Sequence, residues 1–158
     1  MPAVEEMQDI LDEHLPYEVK MLFVTHDALY PPGRLVGGDL NVVLESFCIH
    51  ARNLIEMFTR KRGERYVLAT DYIPSYSAFQ GCQSEISDLY KKICEQISHL
   101  TYDRKRDPAD KIQTDKHVPR ARQLLEAEIK AFVRGLPVAD KQVWDGAAAK
   151  AGLSQYDL

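Results

Sequence analysis

Two short polar clusters carry side chains that could do chemistry, and the first is formed by His50, Arg52 and Asn53. On a helix, His50 and Asn53 lie one turn apart on the same side, whereas Arg52 points to another side. An arginine fork binds phosphate oxygens two at a time, and a histidine exchanges protons near neutral pH. The cluster therefore has two of the groups that phosphate chemistry requires.

The same residues also have a structural interpretation. An unpaired buried charge costs several kcal/mol, so Arg52 must find a partner or reach the edge of the core. Glu56, four residues later, is a partner on the same helix, and Asp71 is an alternative. In this interpretation Arg52 and Asn53 tie their helix to a loop such as residues 69–77.

The second cluster comprises His99, Tyr102 and Arg104, at the end of a later helical segment. By periodicity, the side that carries His99 faces water, which is typical of a charged surface with pairs four residues apart. The alternative is a polar cluster at the helix end, where neighbouring basic residues could hold a phosphate.

The element that must position the first cluster is a helix of about 20 residues, predicted over residues 39–61. Asp39 is the expected N-cap, and a basic run before Gly63 marks the end. Its apolar side has helical spacing: Leu40, Val43, Leu44, Phe47, Ala51, Leu54 and Phe58. A second apolar side is formed by Val42, Ile49 and Ile55, so little of this helix is expected to face water.

The rest of the chain is predicted to cover this helix. The pattern gives a short acidic helix over residues 2–13, a break at 14–16, and helices over 17–30, 84–103 and 119–136. An ordered loop is expected over 66–80, and residues 65–69 are the one faint strand candidate. The prediction is a single all-α domain over residues 1–158, an up-and-down bundle of four to five helices. Its core spans about 17–136, and residues 137–158 form a weakly patterned, loosely docked tail.

The composition is typical of a globular protein, and the features below predict a location in the cytoplasm. The 158 residues carry a net charge of −4, which gives no general attraction to nucleic acid. The acidic N-terminus is unlike a signal peptide, and no apolar run approaches the about 18 residues of a membrane span. Cys48, Cys82 and Cys94 have no CxxC spacing, so buried thiols in a reducing compartment are expected. No metal-binding or phosphate-loop motif is present, and no cofactor is predicted.

The run His-Ala-Arg-Asn-Leu-Ile-Glu at residues 50–56, followed by His-Leu-Thr-Tyr-Asp-Arg at 99–104, resembles a group of small bacterial proteins. More distantly, the chain resembles HEPN domains over about residues 17–106. That resemblance implies an up-and-down helical bundle, usually dimeric, and in many members a metal-independent ribonuclease of toxin or phage-defence systems. The family motif is an Arg, often followed by Asn, with a His four to six residues beyond the Arg. Arg52 and Asn53 match its first half, whereas Met57 and Phe58 stand where the His is wanted.

Three classes of function follow. Metal-free RNA cleavage would use Arg52, His99 and Arg104 as catalytic groups, with His50, Asn53 and Tyr102 in binding roles. It requires Arg52 and His99 to share one cleft. The competing class is a non-catalytic oligomeric module. We expect the chain to form homo-oligomers. RNA or another protein is a further possible partner, and no contact with a membrane is expected. A small-ligand pocket is the third class, and its candidate lining residues are Tyr72, Tyr76 and Tyr90.

Overall fold

The computed structural model describes residues 3–60, 66–95 and 111–158, and within these ranges the regular elements are all helical. The all-α prediction is confirmed. The α-helices in these ranges are α1 (Val4–Asp9), α2 (Leu15–Leu29), α3 (Gly37–Thr59), α4 (Ala69–Tyr72), α5 (Gln83–Ile93), α6 (His117–Gly135) and α7 (Val138–Ala151). A π-helical turn, Ile10–His14, joins α1 to α2, and a 3-10 turn, Leu153–Tyr156, follows α7.

The longer helices α2, α3, α5, α6 and α7 enclose one apolar core. Helices α2 and α3 form an antiparallel pair, and α6 packs against α2, α3 and α5. The centre is aromatic, because the Phe132 ring makes edge contacts with Phe58, Tyr72 and Tyr76 at centroid distances of 5.6, 5.8 and 5.7 Å. Aromatic side chains bury large apolar areas, so this cluster contributes to the stability of the core.

Helix α3 matches the predicted central helix to within two residues at each end. It begins at Gly37 with Val36 in the N-cap position, so the prediction that Asp39 is the N-cap is wrong. Asp39 lies in the first turn instead, where its charge is favourable to the helix dipole. Of the predicted basic end, Arg60 occupies the C-cap position, and residues 61–63 lie outside the described residues.

Burial along α3 is uneven. Its buried residues all lie between Phe47 and Phe58. Ile55 belongs to this buried set, whereas Val42 and Ile49 are largely exposed. The expectation that little of this helix faces water is therefore wrong for its first half.

The predicted break at residues 14–16 does not occur. The chain stays helical because the π-helical turn precedes Pro16, with the Leu15 N–H donating to the Ile10 carbonyl, five residues back. A proline ring clashes with the carbonyl four residues before it in a regular α-helix, and the wider turn moves that carbonyl aside. Pro16 is consequently buried at the start of α2.

The C-terminal segment is not a loosely docked tail. Residues 138–151 form α7, which packs against the π-helical turn, α2 and α6. The Trp144 side chain is 0 % exposed, and Ala147, Ala148 and Leu153 are buried beside it in the core or at its edge. The prediction is wrong because small alanines pack closely without giving a strong apolar pattern.

Of the other segments, the helix predicted over 119–136 is confirmed as α6, and that over 84–103 is confirmed as α5 as far as Ile93. Residues 96–103 lie outside the described residues. The loop over 66–80 is confirmed, with α4 as its short turn. The faint strand at 65–69 is wrong for residues 66–69, since α4 begins at Ala69.

Cys48, Cys82 and Cys94 are free thiols. Only Cys48 is fully buried, so the expectation of buried thiols is wrong for Cys82 and Cys94, which are partly exposed. Burial, with a smaller effect from the negative charge of Glu45, raises the pKa of the Cys48 thiol to about 12. Cys48 thus acts as a small apolar side chain of α3 that packs into the core.

Candidate functional site

His50 and Asn53 bind the same carboxylate on the neighbouring helix. The Nδ1 atom of His50 lies 2.7 Å from Glu18 Oε2, and the Asn53 amide donates to that oxygen at 3.2 Å. The Tyr17 ring meets the His50 ring edge-on at 5.6 Å. The prediction that His50 and Asn53 share a side of α3 is confirmed. Their partner is α2, however, so the expected tie from Asn53 to the loop at 69–77 is wrong.

Arg52 lies on the other flank of α3, in a cluster centred on Glu56. The Arg52 Nε donates to Glu56 Oε1 at 2.9 Å, and Arg60 Nη1 donates to Oε2 at 2.9 Å. The Tyr90 hydroxyl of α5 also donates to Glu56 Oε1, at 2.7 Å. Of the two partners predicted for Arg52, the structure selects Glu56.

The cluster fixes the ionisation of its members. Burial favours the neutral acid, but the Tyr90 hydrogen bond and the charge of Arg52 prevail and lower the pKa of Glu56. Donation to the Glu56 carboxylate, together with burial, raises the pKa of Tyr90 to about 12. At neutral pH Glu56 is therefore charged and Tyr90 is neutral.

The described site residues consequently fall into two separate groups. His50 and Asn53 face α2, whereas Arg52 faces α5, with 31 % of its side chain exposed. The remaining predicted site residues, His99, Tyr102 and Arg104, lie outside the described residues. Whether Arg52 and His99 share a cleft stays a prediction.

A groove of about 370 Å³ lies between α3, α5 and the loop that precedes α5. Its walls include Phe58, Phe79, Ile86 and Tyr90. Of the three tyrosines predicted to line a pocket, Tyr90 lines this groove, whereas Tyr72 and Tyr76 do not line it. Tyr72 and Tyr76 instead donate their hydroxyls to the Met7 carbonyl and the Glu128 carboxylate, both at 2.6 Å.

The sequence interpretation missed Arg122 on α6, whose side chain is only 13 % exposed. The Arg122 guanidinium lies 3.5 Å above the centroid of the Phe23 ring, and Nη2 pairs with Glu126 at 3.0 Å. The Tyr156 ring is 5.3 Å away and thereby connects the last turn of the chain to α2 and α6. The only sequence feature that could have indicated this contact is the four-residue spacing of Arg122 and Glu126. That spacing is common on helix surfaces and so does not single out Arg122.

One surface combines large apolar side chains from two helices, and we call it the hairpin face. Its members are Tyr17 and Val24 on α2, 53 % and 43 % exposed, and Val42 and Ile49 on α3, 68 % and 48 % exposed. Each pair is separated by seven residues, so its members lie on one side of their helix. The Tyr17–His50 contact places these two sides next to each other.

Other kinds of site find no support within the described ranges. No group of three or more potential metal ligands occurs there. None of the helices described combines the length and the apolar content that crossing a membrane requires. Comparison of the chain with protein-family models, curated proteins and solved structures gives no significant match. The fold and the hairpin face are therefore the features from which a function can be argued.

Proposed function

We propose that this chain is a non-catalytic interaction module that self-associates through the hairpin face. The observation that carries the proposal is the exposure of Tyr17, Val24, Val42 and Ile49 on one two-helix surface. Contiguous apolar surface of this kind marks an interaction site more often than scattered single residues do. Burying a half-exposed apolar side chain contributes about 1 kcal/mol, and a symmetric contact gains this contribution from both copies.

The polar residues give independent support, because their contacts are structural. The His50 and Asn53 side chains hold α2 against α3 through Glu18, and Arg52 is bonded to Glu56. A group that serves as a general base needs access to its substrate, and His50 is buried. These contacts favour a scaffold that presents a surface over a catalytic centre.

The proposal predicts that the wild-type protein is larger than a monomer at micromolar concentration in sedimentation equilibrium. Ile49→Asp should shift it towards the monomer by at least tenfold in dissociation constant, because it places a charge at the centre of the apolar contact. Val138→Asp is the matched control, since Val138 is 78 % exposed on α7 and should leave association unchanged. A monomeric wild type at about 100 µM, or equal effects of the two variants, would refute the proposal.

The second candidate is the metal-independent ribonuclease implied by the resemblance to HEPN domains. What favours it is the pair Arg52 and Arg60, which flank Glu56 with 31 % and 37 % of their side chains exposed. Such a pair has the charge and geometry to bind phosphate oxygens. Its catalytic histidine would be His99, which lies outside the described residues.

The two candidates predict opposite outcomes when the purified protein is incubated with mixed RNA and a chelator. A non-catalytic module should leave the RNA intact, both as wild type and as Arg52→Ala. Cleavage by the wild type that is lost in Arg52→Ala and in His99→Ala, with helical content retained by circular dichroism, would establish the ribonuclease instead. Cleavage that survives both substitutions would indicate a contaminating nuclease.

A further inference from the structure

We infer that the partner copy packs antiparallel on the hairpin face, with Glu45 opposite Arg52 of the partner subunit in two symmetric ion pairs. This inference rests on the proposed function and specifies the geometry of the same surface. Two observations support it. The first is the order of charged and apolar residues along the solvent-facing side of α3. The second is the position of the Glu18 contact with His50 and Asn53, which shows which residues of α2 lie beside which residues of α3.

The side of α3 away from the core carries a seam with spacings of three, four and three residues: Val42, Glu45 and Ile49, which are exposed, and Arg52, whose side chain is 31 % exposed. This is the spacing by which helices pack along a shared seam. Glu45 is exposed, and no ion pair to it occurs among the described residues. The Arg52 Nε is used by Glu56, and that bond can persist while the outer end of the guanidinium reaches across an interface.

Charge order along the seam favours an antiparallel partner. Glu45 precedes Ile49 by one turn and Arg52 follows it by almost one turn. When the second helix runs in the opposite direction, Glu45 meets Arg52 on one side of Ile49, and the same pair forms on the other side. A parallel copy in register would instead place Glu45 against Glu45 and Arg52 against Arg52, which is repulsive.

Helix α2 is compatible with the same two-fold axis. The midpoint of Glu45 and Arg52 falls between residues 48 and 49, and that of Tyr17 and Val24 falls between residues 20 and 21. Glu18 is bonded to His50 and Asn53, so residue 18 is level with residues 50–53. The helices are antiparallel, so two to three residues further along α2 correspond to two to three residues further back along α3. Residues 20–21 of α2 are therefore level with residues 48–50 of α3.

One axis at this level therefore satisfies both helices at once. It places Ile49 near Ile49 of the partner subunit, and Tyr17 opposite Val24 of the partner subunit. The contacts of Ile49, Tyr17 and Val24 lie near the axis, and the ion pairs lie on its flanks. The exposed Lys20 of α2 also lies at the level of the axis. A packing with α2 over α3 of the partner would bring Glu45 against a different helix and would not depend on Arg52 in this way.

A charge-reversal experiment tests the geometry by sedimentation equilibrium. Glu45→Arg alone and Arg52→Glu alone should each weaken self-association at least tenfold, because each creates two like-charge contacts. An equimolar mixture of the two variants should restore association to within about threefold of wild type. In that mixed dimer, the two substituted side chains face each other with opposite charges at one contact, and the native Glu45 and Arg52 face each other at the other.

Arg52→Glu also disturbs the contact with Glu56 and Tyr90, so its fold is checked by circular dichroism. If it does not fold, Glu45→Gln replaces it as the second variant, and its association should be less salt-dependent than that of the wild type. Unchanged association in Glu45→Arg, no recovery in the mixture of folded variants, or unchanged salt dependence in Glu45→Gln would overturn the antiparallel geometry. If Ile49→Asp still gives monomers, the interaction module stands without that geometry. A monomeric wild type refutes both.

Discussion

Replacing Trp144 with alanine should lower the free energy of unfolding by about 3–5 kcal/mol. The side chain is fully buried where α7 meets the rest of the bundle, so its removal leaves a cavity as well as losing apolar burial. Since Trp144 is the only tryptophan, the variant loses its fluorescence signal. Urea unfolding should therefore be followed by far-ultraviolet circular dichroism.

Two further variants separate packing from other causes. Trp144→Phe should cost much less than Trp144→Ala, because it fills most of the space and removes an indole N–H that has no hydrogen-bond partner among the described residues. Val138→Ala, on the exposed side of the same helix, should change stability by less than about 0.5 kcal/mol. A loss below about 1 kcal/mol for Trp144→Ala would mean that α7 is not part of the cooperative core.

Replacing Glu128 with alanine should cost roughly 3 kcal/mol, through unsatisfied hydrogen-bond donors. This buried carboxylate on α6 accepts from the Tyr76 hydroxyl at 2.6 Å and from the Phe79 N–H at 2.9 Å. Phe79 has a positive φ of 50°, which is unfavourable for a residue with a side chain. The contact with Glu128 thus stabilises a strained turn that would otherwise relax. Chemical denaturation monitored by circular dichroism measures the loss.

The control for Glu128 is Glu85, which binds Arg120 across α5 and α6 at the surface at 2.6 Å. Glu85→Ala should have a much smaller effect, because exposed ion pairs contribute little in water. Tyr76→Phe removes only the hydroxyl donor and should cost about 1.5 kcal/mol. Equal losses in Glu128→Ala and Glu85→Ala would show that the loop is not held by the buried carboxylate.

Helical periodicity was sufficient to predict most of the bundle. The stripes of α2, α3, α5 and α6 contain large apolar residues at helical spacing, and their burial defines those helices. The same reasoning failed for α7, whose buried side consists of Trp144, two alanines and little else. Side-chain size, which decides how closely helices approach, is only weakly represented in an apolar pattern.

Contacts between residues that are far apart in the sequence were the other part of the structure that could not be predicted. The pairing of Arg52 with Glu56 is local and was predicted among the alternatives. Glu18 lies 32 and 35 residues from its partners His50 and Asn53, and Tyr90 lies 34 residues from Glu56. Nothing in their own sequence context distinguishes them, because their roles arise only after the helices pack. The hairpin face was anticipated in part, through Val42 and Ile49, but the contribution of α2 needed the structure.

The burial of Cys48 has a consequence for oxidation chemistry. Oxidants and alkylating agents react with thiolates, and a thiol with a pKa of about 12 is almost entirely protonated at neutral pH. Because the Cys48 side chain is also buried in the core, it can be modified only when this part of the bundle opens. Cys82 and Cys94 are partly exposed and lack that protection. An alkyl group on Cys48, which is not removed when the helix closes again, would thus be a lasting chemical record that an individual molecule had once unfolded there.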